Sequence, residues 1–405
     1  MPATRKELIL AAVVLLAIPL FCEIALRATH FSAEPQLYMA DVGRGWKLRP
    51  GAEGVVAGEN RQLVRINSLG FRDVERSYEK TENTVRIAVL GNSWTEALQV
   101  PQEKTYCAVL ERRLTGSACF AGKRVEVLNF GVAGYSTGQE LLALQQEVWK
   151  YHPDVILLAL YPARDIANNV RELNNAVNPE QSPYFVFRDG ELVLDDAFRS
   201  LPVLQPREMA LQTLEYHVDQ HVRVLQAIGA LQRMGKVRIA MAAMKEKAAT
   251  AGVDNLEFSI YAPPTQPALE EGWRVTEGLL VAMRDEVKAH GVEFRVVVLP
   301  TRPQLIPDAE KREALLRKLG VRDFQYADAC ISEFCARKGI EAIELAPALS
   351  TYAQENRVYL NGFNLSNIGT GHWNETGHRV AAEAIAVALC GKHSRNQAEA
   401  MVAAH

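Results

Sequence analysis

Val85-Arg86-Ile87-Ala88-Val89-Leu90-Gly91-Asn92-Ser93-Trp94-Thr95-Glu96-Ala97 holds the first compact apolar run beyond the N-terminal segment, and it closes on a glycine followed by two small polar residues. Six residues with one charge among them, bounded by a turn signal, read as a strand buried on both faces. A strand that delivers a serine through a glycine turn to the start of a helix exposes the hydroxyl and offers backbone N–H groups to an anion. Taken alone, the same serine serves equally well as a helix N-cap.

Four more runs of this kind follow: Val125 to Phe130, Val155 to Leu160, Phe294 to Leu299 and Ile340 to Leu345. Between them lie amphipathic stretches, Tyr106 to Leu114, Gly138 to Lys150, Trp273 to His290 and Tyr326 to Lys338. Strands alternating with helices predict an α/β fold, a three-layer α/β/α domain around a doubly wound, mainly parallel five-stranded sheet. This domain is assigned to 85–392, with 393–405 as a C-terminal tail. The alternation is interrupted over 171–270 by a hairpin signal (Tyr184 to Phe187, the Asp189-Gly190 turn, Leu192 to Leu194) and a helical region from Pro206 to Met234. Such an insertion is expected to cover the carboxyl ends of the strands as a lid or cap, an extra packing layer being the alternative. Residues 31–84 carry Gly, Arg and polar residues without periodicity. They read as an irregular arm with short strands, lying against the main domain.

At the N-terminus, Arg5 and Lys6 precede a run from Leu8 to Cys22 without a charge, extended beyond Glu23 by Ile24 to Leu26. Residues 1–30 therefore read as an export signal or an uncleaved membrane anchor, and the absence of an A-x-A site favours the anchor. Basic residues before the run place the remainder outside the cytoplasm. The expectation is a single-pass inner-membrane protein with its main domain in the periplasm or outside the cell.

The 405 residues are 48% hydrophobic and 23% charged, with a net charge of −3, which excludes disordered and disulfide-scaffold classes. No basic block is long enough to follow a polyanion, so nucleic acid is not an expected partner. The six cysteines show no C-x-x-C pair and no Cys/His spacing for zinc, so no metal or other cofactor is expected. Cys107 with Cys119, or Cys330 with Cys335, could form disulfides; the alternative is buried thiols.

A second chemical element lies near the far end, Gly371-His372-Trp373-Asn374-Glu375-Thr376-Gly377-His378, just before the last helix. A loop histidine there can approach a serine at the end of the first strand. With these two segments, Asn129-Phe130-Gly131-Val132-Ala133-Gly134-Tyr135-Ser136-Thr137 and Tyr161-Pro162-Ala163-Arg164-Asp165-Ile166-Ala167-Asn168-Asn169 complete four blocks in order. The chain resembles the SGNH hydrolase (GDSL esterase and lipase) family over roughly Arg65 to Leu389. The segment Arg65-Ile66-Asn67-Ser68-Leu69-Gly70-Phe71-Arg72 is similar to membrane-anchored members.

The resemblance implies a serine hydrolase or acyltransferase in which Ser93 attacks an ester carbonyl and His372 removes its proton. It implies an oxyanion hole from the N–H groups of Ser93 and Gly134, with Arg164 standing where the family has an Asn donor. Asn92 replaces the Asp before the nucleophile and is expected to keep that residue's structural role. Asp165 is either an acid or a cap of the following helix, and His378 is expected to be structural. Gly369 occupies the place of the family's acid, three residues before the His. A carbonyl of the Asn361 to Gly369 loop, or a carboxylate from elsewhere, is then needed to orient the ring. The expected substrate is an acylated glycan, through O-acetyl groups. A lipase or thioesterase on acyl chains, and a glycan-binding pseudoenzyme, are the alternatives.

Overall fold

The computed structural model describes residues 4–29, 33–174, 179–250, 257–364 and 367–403. Helix α1 (Arg5–Ala28) leads into two small antiparallel hairpins, β1 (Tyr38–Asp41) with β2 (Gly45–Leu48) and β3 (Glu53–Val56) with β4 (Gln62–Arg65). The alternating part follows: β5 (Thr84–Gly91), α2 (Ser93–Glu96), α3 (Tyr106–Leu114), β6 (Arg124–Gly131), α4 (Thr137–Gln146), β7 (Val155–Leu160) and α5 (Pro162–Asn168). The insertion contributes hairpin β8 (Tyr184–Arg188) with β9 (Glu191–Asp195), then α6 (Pro206–His221) and α7 (Arg223–Thr250). The chain closes with α8 (Pro267–Ala289), β10 (Glu293–Val298), α9 (Ala309–Leu319), α10 (Tyr326–Arg337), β11 (Glu341–Glu344), α11 (Ala346–Asn356) and α12 (Glu375–Ala403).

The five apolar runs pair in the order β11-β10-β7-β5-β6, every neighbour parallel. Side chains alternate between the faces, so both are covered. Ile87, Val89, Leu157 and Ala159 pack with α3, α5, α11 and α12, whereas Ala88, Leu90, Ile156 and Leu158 pack with α4, α8 and α10. The arm joins the second face through Leu37, Trp46, Leu48, Val64 and Phe71. The chain leaves β5 for β6 on one side and then crosses to β7 on the other. A crevice opens at the carboxyl ends of strands where the winding reverses in this way, and Ser93 lies two residues beyond the end of β5.

Three expectations change. Neither cysteine pair expected from the sequence forms; the disulfide joins Cys119, after α3, to Cys390 on α12. Cys107 is buried on α3, and Cys330 and Cys335 are five residues apart on α10, about 140° apart around the helix, so their side chains diverge. The helical part of the insertion breaks at Val222, whose extended backbone ends α6 before α7 begins and runs to Thr250. Finally, α12 continues to Ala403, so helix replaces the tail expected after residue 392.

Candidate active site

Asn92 sets the geometry of the first block. Its Oδ1 accepts the Trp94 N–H at 3.1 Å, capping α2, and its Nδ2 donates to Asp165 Oδ1 at 2.8 Å. Asp165 Oδ2 accepts the Tyr161 N–H at 2.6 Å, so this buried carboxylate ties the start of α5 to the serine turn. An aspartate at 92 would set two carboxylates against each other; the amide turns that contact into a donated bond. Burial still pushes the Asp165 carboxyl up to about 7, against the Tyr161 N–H, the Asn92 amide and the Arg164 charge. Asp165 is therefore a clamp between blocks, bonded to Asn92 and Tyr161 rather than to His372.

The turn is held from outside by the arm. Arg72, 1% exposed, donates to the carbonyls of Glu96, Ala97 and Val100, while Asn67 organises the preceding turn by accepting from Leu69 N and Phe71 N. Glu96 accepts from Tyr38 Oη and from Ala133 N at 2.7 Å, fixing the loop after β6. Trp46 Nε1 donates to the Ala133 carbonyl at 3.1 Å on the other side. Ser93 and Gly134 line one cavity of about 400 Å³, and neither N–H has a hydrogen-bond partner among the described residues. Two unspent backbone donors at one cavity are the components of an oxyanion hole.

His372 faces Ser93, with Nε2 2.8 Å from Ser93 Oγ. Its Nδ1 lies 2.7 Å from Oε1 of Glu59, and its backbone N–H donates to Glu59 Oε2, also at 2.7 Å. Glu59 sits in the turn of the β3–β4 hairpin, 313 residues upstream. Carboxylate at Nδ1 fixes the proton there and leaves Nε2 to accept from the serine hydroxyl. Burial pushes the Glu59 carboxyl up, but the two bonds from His372 and the Arg302 charge outweigh it and hold the group below the usual carboxylate range.

Two glycines explain why the acid comes from the arm. Gly369 has φ +76°, and a Cβ there would lie 2.8 Å from the Tyr359 ring, so no aspartate fits that position in this loop. Gly371 has φ +67°, and a Cβ there would lie 2.2 Å from Glu59 Oε2. The missing side chain is the space the carboxylate occupies.

Arg164 lies in the first turn of α5, exposed at the cavity mouth, and Asn168, buried one turn later, lines the same cavity. Sequence reasoning weighed the Arg164 position for a third oxyanion donor and missed the amide four residues on. It also missed Arg302, which two hydrogen bonds hold against Glu257, both lining the mouth. His378 lies apart from the cavity: it is buried, stacked on Tyr106 with Nδ1 accepting the Tyr106 N–H at 3.3 Å, and burial lowers its pKa to about 3. Among the described residues no cluster of three or more His, Cys, Asp or Glu could hold a metal. Among the described residues Glu257 is the insertion's contribution to the cavity lining, and no described residue of α6 or α7 lines it.

Residues 262–404 match the family model of the SGNH hydrolase-like domain of acetyltransferase AlgX. No curated protein matches the chain in sequence. Among solved structures, the acetyl xylan esterase AlAXEase aligns over 75% of this chain and 99% of its own at 12% identity, with a TM-score of 0.38. The lipase/acylhydrolase of Enterococcus faecalis aligns over 76% and 96% at 12% identity, with a TM-score of 0.37. The acetylxylan esterase Axe2 of Geobacillus stearothermophilus, as a catalytic mutant, aligns over 78% and 97% at 11% identity, with a TM-score of 0.36. Four motif blocks meeting at the switch point of a five-stranded parallel sheet, together with the family-model match over residues 262–404, give this chain an SGNH hydrolase-like domain, that of an ester hydrolase or acyltransferase.

Proposed function

We propose that the chain acts outside the cytoplasm on O-acetyl groups of a glycan, through a Ser93 acyl-enzyme. The observation that carries the chemistry is the continuous chain from Ser93 Oγ through the His372 ring to the Glu59 carboxylate. Ser93 Oγ attacks the ester carbonyl and its proton passes to His372 Nε2. The Ser93 and Gly134 N–H groups hold the oxyanion. As the C–O bond breaks, the proton passes to the departing alkoxide. Water or an acceptor hydroxyl then attacks the acyl-serine, giving its proton to the same nitrogen, and Ser93 is restored. Glu59 stabilises the transient imidazolium, and with it the pseudoenzyme reading loses one of its two grounds, the missing acid at Gly369, the other being Arg164 in place of an Asn.

Acetyl transfer is supported by the description of the matched family model as that of an acetyltransferase. The compartment is supported by α1, a 24-residue helix about 36 Å long whose most apolar window has a mean hydropathy of 2.7, and by the Cys119–Cys390 disulfide. The test is labelling with a fluorophosphonate and turnover of a small acetyl ester. Ser93→Ala should abolish both, and His372→Ala should remove turnover by about 10⁶-fold while His378→Ala keeps most of it. A chain that never labels, or the reverse ranking of the two histidines, would refute the reading.

Arg164, exposed at the mouth beside the ion-paired Arg302, suits a substrate clamp better than an oxyanion donor. Arg164→Ala should raise KM for esters carrying a nearby carboxylate by about tenfold and leave kcat on neutral esters unchanged, the loss of one two-pronged contact. An equal fall in kcat on both would assign Arg164 to the oxyanion hole instead.

A further inference from the structure

The insertion helices carry apolar side chains that the domain leaves uncovered. On α6, Leu211, Leu214 and Val218 are 48%, 60% and 40% exposed, at spacings of three and four that set them on one face. On α7, Ile228, Leu231, Met234 and Ile239 are 46%, 69%, 54% and 73% exposed, within one half of the cylinder. A soluble surface carries scattered apolar residues, but two consecutive helices with open apolar faces mark a site of association.

The place of these faces selects the occupant. Glu23 Oε2, near the end of α1, accepts the Val224 N–H at 2.9 Å, and Arg27 donates to the His221 carbonyl at 2.7 Å. The junction of α6 and α7 is thus bonded to the last two turns of the helix assigned above as the anchor, and the open faces begin where that apolar segment ends. The charge of α7 agrees, with Arg223, Arg233 and Arg238 and no acidic residue between 223 and 245, whereas α6 carries Glu208, Glu215 and Asp219 against Arg207 and contributes through its apolar side chains alone. Arg233 lies opposite the apolar arc, while Arg238 lies within it, between Met234 and Leu231, where a long side chain can reach the headgroups with its charge while its stem stays among the apolar neighbours. We infer that α6 and α7 form a second membrane contact, lying flat on the phospholipid surface beside α1 with Leu214 and Leu231 among the acyl chains. The inference rests on α1 being in the same bilayer. It would turn the insertion toward lipid and leave the cavity to the arm.

The test uses the full chain with Cys22→Ser and Cys330→Ser, reconstituted in phosphatidylethanolamine/phosphatidylglycerol vesicles. An environment-sensitive fluorophore is placed singly at Leu214→Cys, Leu231→Cys, Ile18→Cys on the anchor, or Glu355→Cys on the exposed side of α11. Labels at 214 and 231 should emit to the blue of the 355 label and lose emission when the lipid carries a nitroxide. Water-like, unquenched emission at 214 and 231 overturns the inference, and the label at 18 then reports separately whether the anchor stands. A blue shift without lipid quenching means that a second copy of the chain covers the face, and also overturns it.

Discussion

The arm and the helical insertion both lie outside the βα alternation, yet they meet the rest of the molecule in opposite ways. Beyond its apolar packing on the sheet, the arm is fixed at the site by directed polar bonds: Tyr38 to Glu96, Trp46 to Ala133, Tyr135 Oη to the Trp46 carbonyl, Asn60 to the Gln99 carbonyl, and Glu59 to His372. These partners lie at the end of α2 or in the loops that form the cavity or border it. The insertion gives the cavity Glu257 and turns Leu214, Leu231 and Ile239 outward. Hydrogen bonds specify position to a fraction of an ångström, whereas apolar contact is non-directional and adapts to whatever covers it. A segment fixed by the first kind can deliver a catalytic group; one presenting the second kind suits a surface without fixed shape.

The comparison breaks most sharply at Glu59. Glu59→Gln keeps the size but cannot stabilise an imidazolium, and it can present a donor where Nδ1–H needs an acceptor. The expected loss is about 10⁴ in kcat with KM little changed, the scale for removing the acid of a serine triad. A loss under about tenfold would mean that Gln99, 3.2 Å from His372 Nδ1, or water orients the ring, and that the arm is packing only.

What the sequence could and could not disclose follows the same division. The five strands were legible because a parallel sheet covered on both faces needs unbroken apolar runs, and Val155 to Leu160 is one to the residue. Ser93 and His372 were legible because each sits at the edge of a regular element with turn residues around it. Glu59 had no such signal: Gly58-Glu59-Asn60 is a polar hairpin turn, and its approach to His372 is a tertiary fact written only as a gap, the absence of a side chain at Gly371. The Cys119–Cys390 pairing, 271 residues apart, was hidden for the same reason. The insertion misled because its place in the chain, after the third sheet strand, says where it departs and not which way it turns.

A second test probes how the arm is fastened. Tyr38 Oη donates to both oxygens of Glu96, whose carboxyl burial pushes up to about 7, against the bonds from Tyr38 and Ala133 and the charge of Arg72. A buried acid whose pKa lies above its unfolded value binds more protons folded than unfolded. Its contribution to stability therefore falls as pH rises from about 4.5 to about 7 and is level above. Tyr38→Phe removes a donor to the anion and lifts that carboxyl further, so the window extends upward. The expected destabilisation is about 1 kcal/mol at pH 5, where a neutral bond is lost, rising to about 2–3 kcal/mol at pH 8. Denaturant titrations at the two pH values measure it; a loss independent of pH would show that Glu96 is not the partner that matters.

The smallest effect is expected where the insertion is most exposed. Leu214→Gln with Leu231→Gln removes apolar surface that nothing in the domain covers, so no cavity forms and no buried partner is lost. Stability should change by no more than about 0.5 kcal/mol, as for surface substitutions generally. Because neither residue lines the cavity, kcat/KM on a small water-soluble ester, measured in detergent, should stay within about twofold of the parent. A tenfold fall, about 1.4 kcal/mol of transition-state stabilisation, would mean that α6 and α7 close over Ser93 during turnover. That would restore them as the lid and leave the open apolar faces as a lid's inner surface. An unchanged rate beside a 10⁴-fold loss at Glu59 would separate the two regions by function as cleanly as their contacts separate them by structure: the arm completes the site, and the insertion faces something other than substrate.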